Sequence, residues 1–369
     1  MRILIAPDKF KESLTARQVA SAIRDGFHSV FPEASFDIVP VADGGEGTAE
    51  IFLESLGGHR VEVAAHDALG RLVTASYSWI PDSKLAVIDM SSASGLWRVA
   101  ATERNPSRAS TFGTGELMAD AIAHGARNLI IGLGGSATND AGVGMATALG
   151  WKFLDDQNQA VAPCPAEFLR IRQILPPDGP LSCSVTGLCD VKSPLLGELG
   201  ATRVFGPQKG VMPEMLTSLE ESLGHLAHLC REQLGNDYRD TPGAGAAGGL
   251  GFGLLTFCQG SLEPGFQAVA RLMDLETKAA GADLVITGEG RLDAQSLQGK
   301  APFEIARLAA RHGKPVIGFA GLVEEDLPEL DACVPIANGP LTLDESRRRA
   351  AELLRAAAVR TARLLKITL

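Results

Sequence analysis

The sequence predicts an α/β protein whose parallel, doubly wound sheet domain is interrupted by an inserted second α/β domain. Three observations carry this expectation. Strand, loop and helix patterns alternate at both ends of the chain, the middle changes character, and glycine-rich or charged loops repeatedly follow strand-like runs. At 369 residues the chain exceeds the size at which one hydrophobic core usually stops growing, so two domains are expected. The boundaries read as residues 1–70 with 280–369 for the discontinuous sheet domain and 71–279 for the insertion. A chain that leaves a sheet and returns to it makes two interdomain connections, and a cleft there is the expected active site.

Taking the elements in order, Arg2 to Ala6 is a short apolar strand, and DKFKES after it is a polar loop. A helix follows. Thr15 and Gln18 make a capping-box pair, Leu14 and Val19 can form the staple around it, and Val19, Ile23 and Phe27 repeat every four residues to give one apolar face. A second unit runs from a strand at Phe36–Val41 through ADGGEGT to a helix that starts at Thr48 and stops near Gly57 and Gly58. Val61 to Ile80 alternates like a hairpin, and Leu129 to Ile131 is a strand leading into GLGGSATNDAG. The alternation then returns with a strand at Asp283–Thr287, the loop GEGRLDAQSLQGK, a helix near Pro302–His312, and strands at Pro315–Ala320 and Ala332–Ala337. Thr342 and Glu345 open the closing helix as a second capping box, and Leu353, Leu354, Ala357, Leu364 and Leu365 form its apolar stripe.

Composition narrows the function. Hydrophobic residues at 45% and charged residues at 21% describe a globular chain without long disordered tracts. The net charge of −10, from 34 Lys plus Arg against 44 Asp plus Glu, argues against a nucleic-acid partner and requires local cations wherever an anion binds. No apolar run approaches the roughly 20 residues of a membrane span, and the first residues lack a secretory pattern, so the expected location is the cytoplasm with no membrane partner. The six cysteines are scattered without a C-x-x-C pair and are expected to be reduced. His225, His228 and Cys230 lack a second ligand pair and read as an ordinary helix surface.

Chemistry should sit in the loops that follow strands, where an open α/β sheet presents its ligand-binding edge. Asp8, Lys9 and Lys11 put one carboxylate and two cations in one loop, suited to neutralising phosphate or carboxylate. Asp43 and Glu46, spaced by glycines, offer hard oxygen ligands for Mg²⁺. Gly134, Gly135, Ser136, Thr138 and Asn139 offer backbone N–H groups and polar side chains at the start of an apolar helix, a place to cradle phosphates. The same stretch admits a rival, since Gly132, Gly134 and Ala137 fit a loose dinucleotide pattern with Asp155 and Asp156 downstream. Gly243, Gly245 and Gly248 also match G-x-G-x-x-G, but no buried strand precedes them. An ordinary P-loop is excluded because Lys300 is followed by Ala301.

Eight segments, DKFKESLTA, ADGGEGT, RNPSRASTFGTGEL, GLGGSATNDAGVGM, CDVKSPLLG, FGPQKG, PGAGAAGGLG and ITGEGRLDAQSLQGK, occur in an order that resembles the bacterial glycerate kinase family. The likeness spans nearly the whole chain, with small departures at Ser193 and Ser296. The resemblance implies a Rossmann-like domain with an inserted α/β domain, Mg-ATP and D-glycerate as ligands, and a phosphoglycerate product, with 2-phosphoglycerate favoured over 3-phosphoglycerate. Asp190, in the CDV motif, is the candidate base, with Asp8 and Asp293 competing and Lys9 beside them. Lys11, Arg104, Ser107 and Lys300 are candidate substrate contacts, while Asp43, Glu46 and Glu289 suit magnesium or its waters. A hydroxy-acid dehydrogenase and a non-catalytic hydroxy-acid binder remain as alternatives, and a homodimer stays open.

Overall fold

In this computed structural model the described residues are 1–41, 47–292, 301–324 and 327–368. Two compact units emerge, Met1–Asp43 with Phe266–Leu369, and Gly44–Gly265. The sequence boundary at 70 differs because strand His59–His66 pairs antiparallel with Leu72–Ile80 and so belongs to the inserted unit, and the one at 280 differs because the discontinuous unit resumes at Phe266, with helix Leu275–Ala280 packing on helix Ala301–Arg311.

The discontinuous unit holds a five-stranded sheet in the order Ala332–Pro335, Val316–Val323, Leu284–Leu292, Arg2–Ile5, Ser35–Ile38, with every neighbouring pair parallel. Both faces are covered. Ile3, Ile5 and Ile286 pack with Val19, Ile23 and Phe27 of helix Ala16–His28 and with Leu353 and Ala357 of helix Ala350–Thr368. Leu4 and Val285, also buried, point to the opposite face by the two-residue period of a strand. Helix Ala301–Arg311 packs on the strands Leu284–Leu292 and Val316–Val323. Such two-sided burial is what makes parallel strands read as apolar runs.

Local signals decide the helix ends. Both bonds of the capping box form at Thr15 with Gln18 and again at Thr342 with Glu345. The last part of the chain is two helices, Leu343–Arg348 and Ala350–Thr368, where the sequence reads as one. Leu364, expected in the apolar stripe, is 66% exposed. Strand Leu284–Leu292 outruns its expected end at Thr287, because Glu289, Arg291 and Leu292 continue the ladder with Ala320, Leu322 and Val323. Glu289 therefore sits on a strand rather than in a loop.

The inserted unit is built on a six-stranded sheet in the order Ser261–Glu263, Ser184–Leu188, Asn128–Gly132, Leu85–Asp89, Leu72–Ile80, His59–His66. The first four strands are parallel, and the last two join antiparallel. One core gathers Tyr77, Ile88, Leu117, Ile131, Leu250 and Leu254, and a second surrounds helix Leu216–Leu234 through Leu223, Leu226, Phe168 and Phe252. No helix among the described residues is long and apolar enough to cross a membrane.

Candidate active site

The loop after strand Asn128–Gly132 leaves the carboxyl end of a parallel strand, the edge where open α/β sheets bind ligands. Its course is fixed by backbone bonds. The Leu96 N–H donates to the Gly135 carbonyl at 2.8 Å, the Ala137 N–H to the Ser94 carbonyl at 3.0 Å, and the Ala141 N–H to the Gly248 carbonyl at 3.0 Å. Gly248 has φ of +69°, and a Cβ there would overlap the Thr138 carbonyl oxygen. Only glycine fits this crossing. Two glycine-rich segments, 133–142 and 243–249, are thereby locked together.

Two buried charges complete the arrangement. Asp140 is 0% exposed and accepts from the Thr111 N–H at 2.7 Å, the Thr111 hydroxyl at 2.8 Å and the Gly144 N–H at 3.0 Å. Burial pushes its carboxyl pKa up, while the donors from Thr111, Gly144 and Gly142 pull it back. Lys209 is 1% exposed, and its Nζ donates to the Thr138 carbonyl at 2.7 Å. Burial lowers the ammonium pKa to about 7, with the charge of Asp140 opposing that shift.

The N–H groups of Gly134, Gly135, Ser136, Thr138 and Asn139 make no hydrogen bond to a described residue. The buried Thr138 Oγ1 and Asn139 Oδ1 are likewise without a partner, although Asn139 Nδ2 donates to Thr202 Oγ1 at 3.0 Å. Buried polar atoms left unsatisfied are costly, so this cluster is suited to a polar ligand. One expectation needs correction: the helix begins only at Val143, six residues long, and Asp140 already occupies its first amides. The loop, not a helix terminus, presents the open donors.

Asp190 lies just past strand Ser184–Leu188 and is exposed. Its Oδ1 accepts from the Gly265 N–H at 3.0 Å, at the first residue of helix Gly265–Leu272. Arg104 turns toward the neighbourhood of Lys209, with Nη1 donating to the Gln208 carbonyl at 3.0 Å and a buried Nε that has no partner among the described residues. Ser107 is half-buried, and its carbonyl accepts from the Ala166 N–H at 2.9 Å. Asp155 of the rival dinucleotide reading is tied into a turn by the N–H groups of Gln157 and Gln159 and by Arg170. A ribose-binding acid would have to be available to ligand.

In the discontinuous unit, Asp8 is 8% exposed, its carboxylate accepts from the Lys9 N–H at 2.6 Å, and its own N–H donates to the Gly288 carbonyl at 2.8 Å. The DKFKES loop thus lies against the strand that carries Glu289, bringing Asp8, Lys9 and Glu289 into one neighbourhood; Glu289 and Lys9 are half-buried and Lys11 is exposed. Asp43, Glu46, Asp293 and Lys300 lie outside the described residues.

Sequence reasoning overlooked Asp140 and Lys209 as functional groups. Both stood inside segments already singled out, and each is the only charged residue of its segment. Asp89 was also overlooked: at the end of strand Leu85–Asp89, its carboxylate accepts from the Gly47 N–H at 2.9 Å and the Ala49 N–H at 3.2 Å, holding the start of helix Thr48–Leu56.

A family model described as the glycerate kinase family matches residues 3–366. The chain belongs to the glycerate kinase family. That membership makes it a kinase. The glycerate kinase of Bacillus subtilis is 43% identical over 371 residues, covering 96% of this chain and 95% of the relative. The glycerate 2-kinase of Escherichia coli K12 is 42% identical over 359 residues, covering 95% and 94%. A crystal structure of a glycerate kinase 2 candidate from Salmonella typhimurium LT2 superposes with a TM-score of 0.91 at 42% identity, covering 100% of this chain and 99% of that one. The eight motifs thus belong to a member of the glycerate kinase family, and the glycine-rich loop with Lys209 and Asp140 lies within the matched region.

Proposed function

We propose that this chain, working in the cytoplasm, transfers the γ-phosphoryl group of Mg-ATP to the 2-hydroxyl of D-glycerate. The single observation that carries the reading is family membership across nearly the full length, with a relative named for the 2-kinase reaction. The unpartnered amides of Gly134, Gly135, Ser136, Thr138 and Asn139 fit a nucleotide's phosphates, which need fixed donors more than a side-chain nucleophile. Lys209 holds the Thr138 carbonyl and so anchors the loop that carries those amides. A bound divalent cation would supply charge neutralisation between phosphate oxygens. Its proposed ligands are Glu289, half-buried on its strand, with Asp43 and Glu46 outside the described residues.

Asp190 is proposed to accept the proton of the attacking hydroxyl, oriented by the Gly265 N–H on one oxygen. Asp8 and Asp293 remain the other candidates, Lys9 and Lys11 are proposed to neutralise phosphate or carboxylate, and Lys300, Arg104 and Ser107 are proposed substrate contacts. The test is ADP release with D-glycerate, ATP and Mg²⁺, read in parallel with NADH absorbance. ADP release dependent on D-glycerate, cut about 10²- to 10⁴-fold in a folded Asp190→Asn variant, is expected. Nucleotide reduction without ADP release would replace the kinase reading with the dehydrogenase one, and near-wild-type turnover in Asp190→Asn would remove that residue from the mechanism.

A further inference from the structure

A cavity of about 610 Å³ opens in the inserted unit, with His66, Asp67, Asn105, Arg108, Ser110 and Cys164 in its wall. Its other charged groups are already engaged. Asp67, 3% exposed, accepts from the Leu69 and Arg71 N–H groups at 2.9 Å and pairs with the Arg71 guanidinium at 2.6 Å. Glu103 pairs with the same guanidinium at 3.1 Å, and His66 Nδ1 lies 2.9 Å from Glu116. Arg108 differs: its guanidinium has no hydrogen-bond or ion-pair partner among the described residues.

The guanidinium is carried on an anchored turn. The Arg108 and Ala109 N–H groups both donate to the Asn105 carbonyl at 3.0 Å, and the Ser110 N–H donates to the Ala68 carbonyl at 2.9 Å. Pro106 and Ala109 within the turn are buried. Ser110 Oγ stands 3.5 Å from Asp140 Oδ2, and Thr111 holds that same carboxylate oxygen. One buried acid therefore joins the wall of this cavity to the glycine-rich loop.

We propose that Arg108 binds the carboxylate of the acceptor hydroxy acid inside this cavity, with Asn105 and Ser110 offering hydrogen bonds to its hydroxyls. The inference rests on the kinase reading and names where its acceptor sits. A chain of net charge −10 repels a small anion unless a local cation receives it. A guanidinium meets a carboxylate through two parallel N–H···O bonds, which fixes the acid's orientation as well as its affinity. The cavity is large enough for a three-carbon acid.

The test uses the full chain with Arg108→Gln and Arg108→Lys, varying D-glycerate and ATP separately and titrating D-glycerate by calorimetry without nucleotide. Arg108→Gln should raise the KM for D-glycerate on the order of 10- to 100-fold, leave the KM for ATP unchanged, and melt like the wild type. Arg108→Lys should recover part of the loss, because charge survives without the fork. An unchanged D-glycerate KM in folded Arg108→Gln overturns the inference, as does an increase confined to ATP. Should the wild type release no ADP with D-glycerate, the proposed function fails. Calorimetric binding that Arg108→Gln abolishes then still upholds the anion site, and no binding at all overturns it too.

Discussion

Lys209 combines full burial with a direct bond to the loop that offers the open amides. Its ammonium pKa falls to about 7 through burial, well below the ordinary lysine value near 10.5. Between those two values the unfolded chain binds a proton that the folded chain does not, so this residue's contribution makes stability rise with pH across about 7 to 10. A Lys209→Met variant lacks that slope. The difference in melting temperature, wild type minus variant, should therefore grow from pH 7 to pH 10, and a flat difference would mean that Lys209 keeps an ordinary pKa. Neither this pair nor its geometry is readable from sequence, since Lys209 and Thr138 are 71 positions apart. The polar loop residues were readable because they are contiguous.

Elements were legible wherever the signal was local. Thr15 with Gln18 and Thr342 with Glu345 satisfy each other's backbone within one turn, so a four-residue window suffices. Strand Leu284–Leu292 was read short because its last residues, including glycines, gain their strand conformation from pairing with Val316–Val323. The segment 243–249, whose dinucleotide-like pattern the sequence already discounts for want of a preceding strand, also owes its glycines to tertiary structure. Its glycines serve a close crossing with the 133–142 loop rather than a dinucleotide. Gly248→Ala should lower stability by about 1 to 2 kcal/mol from the left-handed backbone alone, and displacing Thr138 should also raise the KM for ATP. A variant with the wild-type melting temperature and wild-type KM would show that the crossing can relax.

At the level of the whole chain, both sheets present their candidate residues at the carboxyl ends of parallel strands: Asp8 and Glu289 in one unit, the glycine-rich loop and Asp190 in the other. The alternation of strands and helices foretold this edge, because parallel strands require crossovers that return the chain to the same side. The position of the unit boundaries was less legible: the expected break at 70 cuts the hairpin that the sequence itself shows near Val61 to Ile80, and no local signal marks the change at Phe266. A net charge of −10 leaves anion binding to a few fixed cations and amides, consistent with phosphoryl transfer by positioning. The most direct test is phosphorus NMR of the product formed from ATP, Mg²⁺ and D-glycerate. A new phosphate-ester signal split into a doublet by the single proton on carbon 2 is the predicted result. A triplet from the two protons of carbon 3 would contradict the assigned hydroxyl, and the absence of any ester signal would contradict phosphoryl transfer to glycerate itself.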